Sequence, residues 1–143
     1  MDREMGTARR ESDAPVVTAP DGSSVRPLAR TGRGSLATFR LRPGQVAAAV
    51  VHRTVEELWY VVEGSGTLWR RAPGGDDGAS GSGRGELTRL EPGVSVDLPV
   101  GTAFQFRVSD DGGLLIVGVT MPPWPGNDEA IPVADGPWPT EGP

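Results

Sequence analysis

The fold class predicted for this chain of 143 residues is all-β, a sandwich or small barrel with little or no helix. Three observations predict it. Short runs rich in Val, Leu, Phe and Thr recur along the middle of the chain, several of them alternating apolar with polar residues. Turn signals separate the runs: Pro43-Gly44, Gly64 to Gly66, Pro92-Gly93, Pro99 to Gly101 and Asp110 to Gly113. No apolar pattern with a helical period runs for a useful length. The length fits one domain with a real core.

Residues 1–15 mix charges and small residues without periodicity, and a disordered amino terminus is expected there. The domain proper is expected over 16–120. Val16-Val17 and Val25 suit one or two short edge strands. Leu36 to Arg42 alternates, with Phe39 and Leu41 on one face and Arg40 and Arg42 on the other. Val46 to Val51 and Leu58 to Val62 are rich in β-branched or aromatic residues and read as two strands joined by a turn, a central hairpin. A strand over Thr67 to Arg71 follows. The Gly/Ser/Asp run 72–85 reads as a flexible hairpin loop; with no helix pattern behind it and no GK[ST], it does not suit a phosphate cradle. Strands are then expected over Glu86 to Leu90, Val94 to Leu98, Ala103 to Val108 and Leu114 to Thr120. The tail, 121–143, is too rich in proline for a helix or a central strand. Trp124, Ile131 and Trp138 are too apolar for a free tail, so an extended arm packed on the barrel wall is expected.

Composition excludes several functions. The absence of cysteine removes disulfides, thiolate metal sites and a cysteine nucleophile. All 14 basic residues are arginine, so no lysine Schiff base is possible. A net charge of −5 and the lack of a basic patch with interleaved aromatics argue against nucleic acid as a partner. The amino terminus has no apolar signal core, and no apolar run nears the ~20 residues that span a bilayer. A cytoplasmic protein without a membrane partner is therefore expected.

The only histidine, His52, ends one of the two central runs, and Glu57 opens the other. Around them the chain resembles the cupin superfamily. The first cupin motif is a glycine, five residues, H-x-H, three or four residues, E, six residues and G; here Gly44, Val50-Val51-His52, Glu57 and Gly64 stand at those spacings. The second motif is a glycine, five residues, P-x-G, two residues, H, three residues and N; here Gly93, Pro99, Gly101, Phe104 and Val108 stand at those spacings. The match covers about residues 36–120 and implies a cupin-type β-barrel, or jelly roll.

The resemblance also says where the chemistry departs. Metal cupins bind a divalent ion through the two histidines and glutamate of the first motif and the histidine of the second. Val50 replaces the first histidine and Phe104 the last, leaving only His52 and Glu57 as metal ligands if a metal is present. Two donors fall short of zinc or non-haem iron sites. No cofactor is therefore expected. Period-2 geometry turns Val50, Trp59, Val61, Phe104 and Phe106 inward with His52 and Glu57. The expectation is an aromatic-lined cup for a small-molecule ligand, with Arg40 at its edge to meet an anionic group. His52 and Glu57 are the expected catalytic pair, the carboxylate favouring imidazolium and fixing its tautomer. Acid-base isomerisation, cyclisation or elimination on a small, largely apolar carbonyl compound follows as the first functional reading. A non-catalytic binding module and a metal-dependent cupin with a reduced ligand set are the alternatives, and a hydrogen-bonded structural His-Glu pair is the bland one. Cupins commonly dimerise, so a homodimer is expected.

Overall fold

The computed structural model describes residues 5–74 and 85–140. Among the described residues eleven strands form two antiparallel sheets. They are β1 (Val17–Thr18), β2 (Ser24–Arg30), β3 (Ser35–Leu41), β4 (Val50–His52), β5 (Glu56–Gly64), β6 (Gly66–Arg71), β7 (Glu86–Leu90), β8 (Ser95–Leu98), β9 (Ala103–Val108), β10 (Leu114–Met121) and β11 (Ala130–Pro132). One sheet has the order β1-β2-β3-β10-β5-β8 and the other β11-β4-β9-β6-β7. Among the described residues the helical segments are two short 3-10 turns, Glu11–Asp13 and Asn127–Glu129. No helix among them is long and apolar enough to cross a membrane.

Alternation along the strands builds the core. On β5 the residues Glu57, Trp59 and Val61 are buried while Glu56, Leu58 and Tyr60 are exposed. On β9 Phe104, Phe106 and Val108 face the same interior, and on β10 Leu114 and Ile116 meet them from the other sheet. Val61, Leu68, Leu90 and Ile116 are wholly buried and close one end of the sandwich. Burying such side chains is worth about 1.5–3 kcal/mol each, which is the main term holding the two sheets together.

The expected central hairpin does not form. β4 and β5 lie in different sheets, so the turn between His52 and Glu57 is a corner of the sandwich rather than a hairpin loop. The run Val46 to Val51 is not one strand either. Val46 makes a single bridge to Arg107, and the Ala47, Ala48 and Ala49 backbone groups bond in turn to Phe106, Asp21 and Val133. Three different partners share a segment that composition alone reads as one ladder. The hairpin between the motifs does form, with β6 paired to β7. Of the loop expected over 72–85, residues 75–84 lie outside the described residues.

The motif glycines Gly44, Gly64, Gly93 and Gly101 all take positive φ. At Gly64 the need is double: φ is 86°, and a Cβ would sit 1.7 Å from the Gly113 carbonyl oxygen. The turn that ends β5 therefore admits no side chain.

Residues 11–14 near the amino terminus and 130–138 near the carboxy terminus pack on the sheets. Glu11 bonds to β3: its carboxylate accepts hydrogen bonds from Thr38 Oγ1 (2.7 Å) and Arg40 Nη2 (3.0 Å), and Ala14 is buried. A disordered start thus does not describe residues 11–15, because an acidic side chain in a featureless stretch has two partners on a strand. In the tail, β11 pairs with β4 at the edge of its sheet, where the missing proline N–H groups cost no ladder bond. Gln105, outward on β9 and buried, donates through Nε2 to the Ala47 and Trp138 carbonyls and accepts from the Trp138 N–H. Arg107 stacks on the Trp138 ring at 4.6 Å, and Arg71 pairs with Asp135 at 2.7 Å.

Candidate functional site

The inward faces of β3, β4, β5, β9 and β10, together with β1, β2 and the segment after β10, line an open, solvent-connected cavity of about 1270 Å³. Its wall includes Val50, His52, Glu57, Trp59, Phe104 and Phe106, together with Phe39, Gly118, Thr120 and Trp124. The rings meet edge to face: Trp59 lies 5.0 Å from Phe106, 5.7 Å from Phe104 and 6.2 Å from Phe39. His52 sits between Phe104 and Trp124, each at 5.2 Å. Such pairs add about 0.5–1.5 kcal/mol beyond area burial and fix ring planes.

Gly118 makes room for this cluster. It lies opposite Trp59 on one side and Ala37 on the other. A Cβ there would come within 2.6 Å of the Phe39 ring, so any larger residue pushes Phe39 into the space that a ligand needs.

His52 Nδ1 lies 3.5 Å from Glu57 Oε1, and both side chains are buried. What brings them together is a third residue. Glu129 is buried and accepts from Thr54 N (2.6 Å), Thr54 Oγ1 (2.7 Å) and Val55 N (2.8 Å). Its carboxylate therefore staples the corner between β4 and β5 from the carboxy-terminal arm. These three bonds outweigh the cost of its own burial and hold its pKa below the ordinary carboxylate value.

Burial sets the protonation of the pair. It pushes Glu57 from an ordinary 4.5 up to about 8. The Trp59 N–H acts against that rise and the nearby Asp21 carboxyl adds to it. Burial pushes His52 below its ordinary value, opposed by the charge of Glu129. At neutral pH the site therefore holds a protonated Glu57 and a neutral imidazole. The expected carboxylate–imidazolium pair is replaced by two neutral partners, because neither charge is hydrated in this cavity. The carboxylate that acts electrostatically on His52 is Glu129, the one with hydrogen-bond donors around it.

Of the expected ligand-binding residues, Val50, Trp59, Phe104 and Phe106 line the cavity. Val61 faces inward but lies deeper, in the core beyond the cavity wall. Arg40 is on the outer face of β3, half-exposed and paired to Glu11, so it meets no ligand in the cup. Period 2 gives a residue's face, not its depth or its partner. Asp21, Phe39, Gly118, Thr120 and Trp124 were not marked by any motif. Phe39 was legible as inward-facing, and Trp124 had only the apolar tail as a signal.

The residues at the metal-ligand positions of the family do not suit a divalent ion. Val50 and Phe104 stand opposite each other on β4 and β9, and the Phe104 ring is edge-on to His52. Two hydrocarbon side chains thus fill half of the expected donor shell. Among the described residues no three metal-ligating side chains come together.

Comparison with known proteins bears on the fold. No protein-family model and no curated protein matches the sequence. Solved structures do match. KdgF from Halomonas sp. is 18% identical with a TM-score of 0.66, over 82% of this chain and 94% of that one. Oxalate decarboxylase from Bacillus subtilis is 15% identical with a TM-score of 0.72, over 94% of this chain and 34% of that one. CapF, solved with 3-isopropenyl-tropolone, is 20% identical with a TM-score of 0.63, over 82% of this chain and 33% of that one. This chain thus spans about a third of the latter two. With two antiparallel sheets and these structural neighbours, the fold is a cupin-type jelly roll. Val50 and Phe104 stand in it where the resemblance would put the first and last metal-ligating histidines.

Proposed function

We propose that this cupin is a metal-independent acid-base enzyme that isomerises, cyclises or dehydrates a small, largely apolar carbonyl compound. The observation that carries the reading is the buried His52–Glu57 contact of 3.5 Å at the wall of an aromatic cavity. A neutral imidazole is a base of suitable strength near pH 7, and a carboxyl still protonated there is an acid. His52 takes a proton from the carbon beside the substrate carbonyl, while Glu57 gives one to the carbonyl oxygen. The product of that step is an enol, and the imidazole and carboxyl are left charged. Transfer of the imidazolium proton to a different carbon, as the enol hydroxyl returns its proton to the Glu57 carboxylate, isomerises the substrate. Loss of a β-hydroxyl as water, or attack of the enol carbon on a second carbonyl, gives elimination or ring closure. The rings of Phe39, Trp59, Phe104, Phe106 and Trp124 supply flat apolar contact for the substrate.

The test is exchange of the protons next to the carbonyl in D₂O, followed by NMR over a panel of aryl ketones and 1,3-diketones. Protein-dependent exchange that is lost in His52→Ala supports the reading. Binding without exchange, and unaffected by loss of both His52 and Glu57, marks a non-catalytic binding module instead.

Metal independence gives its own expectation. Elemental analysis should find well below one equivalent of Fe, Mn, Ni, Cu or Zn, and chelator should change neither melting temperature nor exchange rate. A near-stoichiometric metal lost on His52→Ala contradicts it and favours the reduced-ligand metal reading.

The proposed assembly is a homodimer. Leu58, Tyr60 and Val62 are exposed together on the outer face of β5, beside Val117 and Val119 of β10. Light scattering at micromolar concentration should give twice the chain mass, 15.0 kDa. A monomer contradicts the assembly without touching the chemistry.

A further inference from the structure

Trp59 carries an indole N–H that no group among the described residues meets in full hydrogen-bond geometry. The side chain is 3% exposed, and Nε1 is buried without a hydrogen-bond partner. A buried donor left unpaired costs about 1–3 kcal/mol, so the fold carries an expense at this position that phenylalanine would avoid. The ring packs edge to face against Phe39, Phe104 and Phe106. Trp59 and Glu57 lie two residues apart on β5 and point the same way, into the cavity. The N–H acts on the Glu57 carboxyl as a hydrogen-bond donor, but it falls short of the geometry of a formed bond and stays available to a better-placed acceptor. Gly118 faces both residues, and its missing side chain keeps the floor between them and β10 open.

We propose that Trp59 Nε1–H and the Glu57 carboxyl form a two-donor seat for one ligand oxygen, so that the cavity selects ketones and enols over hydrocarbons of the same shape. The inference rests on the acid-base reading for its chemistry and names the substrate group that the site holds. Two donors on one oxygen suit a carbonyl, and suit it better as charge grows on that oxygen. His52, edge-on to Phe104, is then left to address the carbon beside it. Trp59 becomes a hydrogen-bond donor to substrate, in addition to an apolar wall.

Calorimetry with 1-indanone and with indane, its counterpart lacking the carbonyl, tests the seat on the full chain. The parent should prefer the ketone, and Trp59→Phe should lose about 5–20-fold of ketone affinity while indane binding changes little. Infrared spectra of ¹³C=O-labelled 1-indanone give a second readout. The carbonyl stretch should move to lower frequency on binding to the parent and recover part of the way in Trp59→Phe. A parent that binds both compounds equally, or leaves the bound carbonyl stretch unshifted, overturns the proposal even if the variant does not fold. Equal losses for ketone and hydrocarbon in Trp59→Phe also overturn it, since packing then explains everything. A ketone preference with no proton exchange keeps the seat and sinks the acid-base reading.

Discussion

His52→Ala should fold like the parent and lose about 10²–10⁴-fold of its proton-exchange rate, the span that general acid-base catalysis supplies. The expectation that the fold survives has a structural basis. His52 Nδ1 faces Glu57 at 3.5 Å without a formed hydrogen bond, and no bond to its ring nitrogens holds any strand in place. The corner beside it is held by Glu129 through Thr54 and Val55, and β4 by its ladders to β9 and β11. The loss is confined to the contacts of the ring with Phe104 and Trp124, on the order of 1–2 kcal/mol. Affinity for the ketone should fall far less than the rate, because the oxygen is held by other groups. A variant that unfolds shows instead that the histidine is a core residue, and one that exchanges protons at the parent rate removes His52 from the chemistry.

Glu57→Gln should make the protein more stable at alkaline pH. The sign follows from the raised pKa. Between an ordinary 4.5 and about 8 the folded chain keeps a proton that the unfolded chain has released. Stability therefore falls as pH rises across that window, and the full penalty is present above it. The span corresponds to an upper bound on the order of 5 kcal/mol, reduced where water enters the open cavity. Glutamine has nearly the same shape and no charge to bury. At pH 9 the variant should melt roughly 5–10 °C above the parent, and the gap should close towards pH 5, where both side chains are neutral. Equal melting temperatures at pH 9 would show that Glu57 ionises freely. The same variant should lose most proton exchange, since an amide has no proton to give.

How much of this was legible in the chain depends on the kind of information. Strand faces were: the inward set Val50, His52, Glu57, Trp59, Phe104 and Phe106 follows from period 2 and the two motifs, and all of these line the cavity. The bounds of β7 and β9 follow equally well from alternation between turn signals. Depth was not, because Val61 obeys the same alternation yet lies past the cavity floor. Partnership was not either. Arg40 belongs to Glu11, and the corner that seats His52 beside Glu57 belongs to Glu129, each far away in sequence. The protonation state was hidden for a related reason. A carboxylate beside a histidine reads as an ion pair from sequence, but it takes the desolvation of a built cavity to keep both groups neutral.

The protonation of Glu57 is the claim on which the rest depends, and it is directly measurable. ¹³C NMR of the glutamate side-chain carboxyls, titrated from pH 4 to 10 and assigned by the signal missing in Glu57→Gln, reports it. One carboxyl is expected to have a midpoint of about 8 and to be still protonated at pH 6. A Glu57 signal that titrates near 4.5 would contradict it: the site would then hold a carboxylate at neutral pH, and the proposed acid would have no proton to donate.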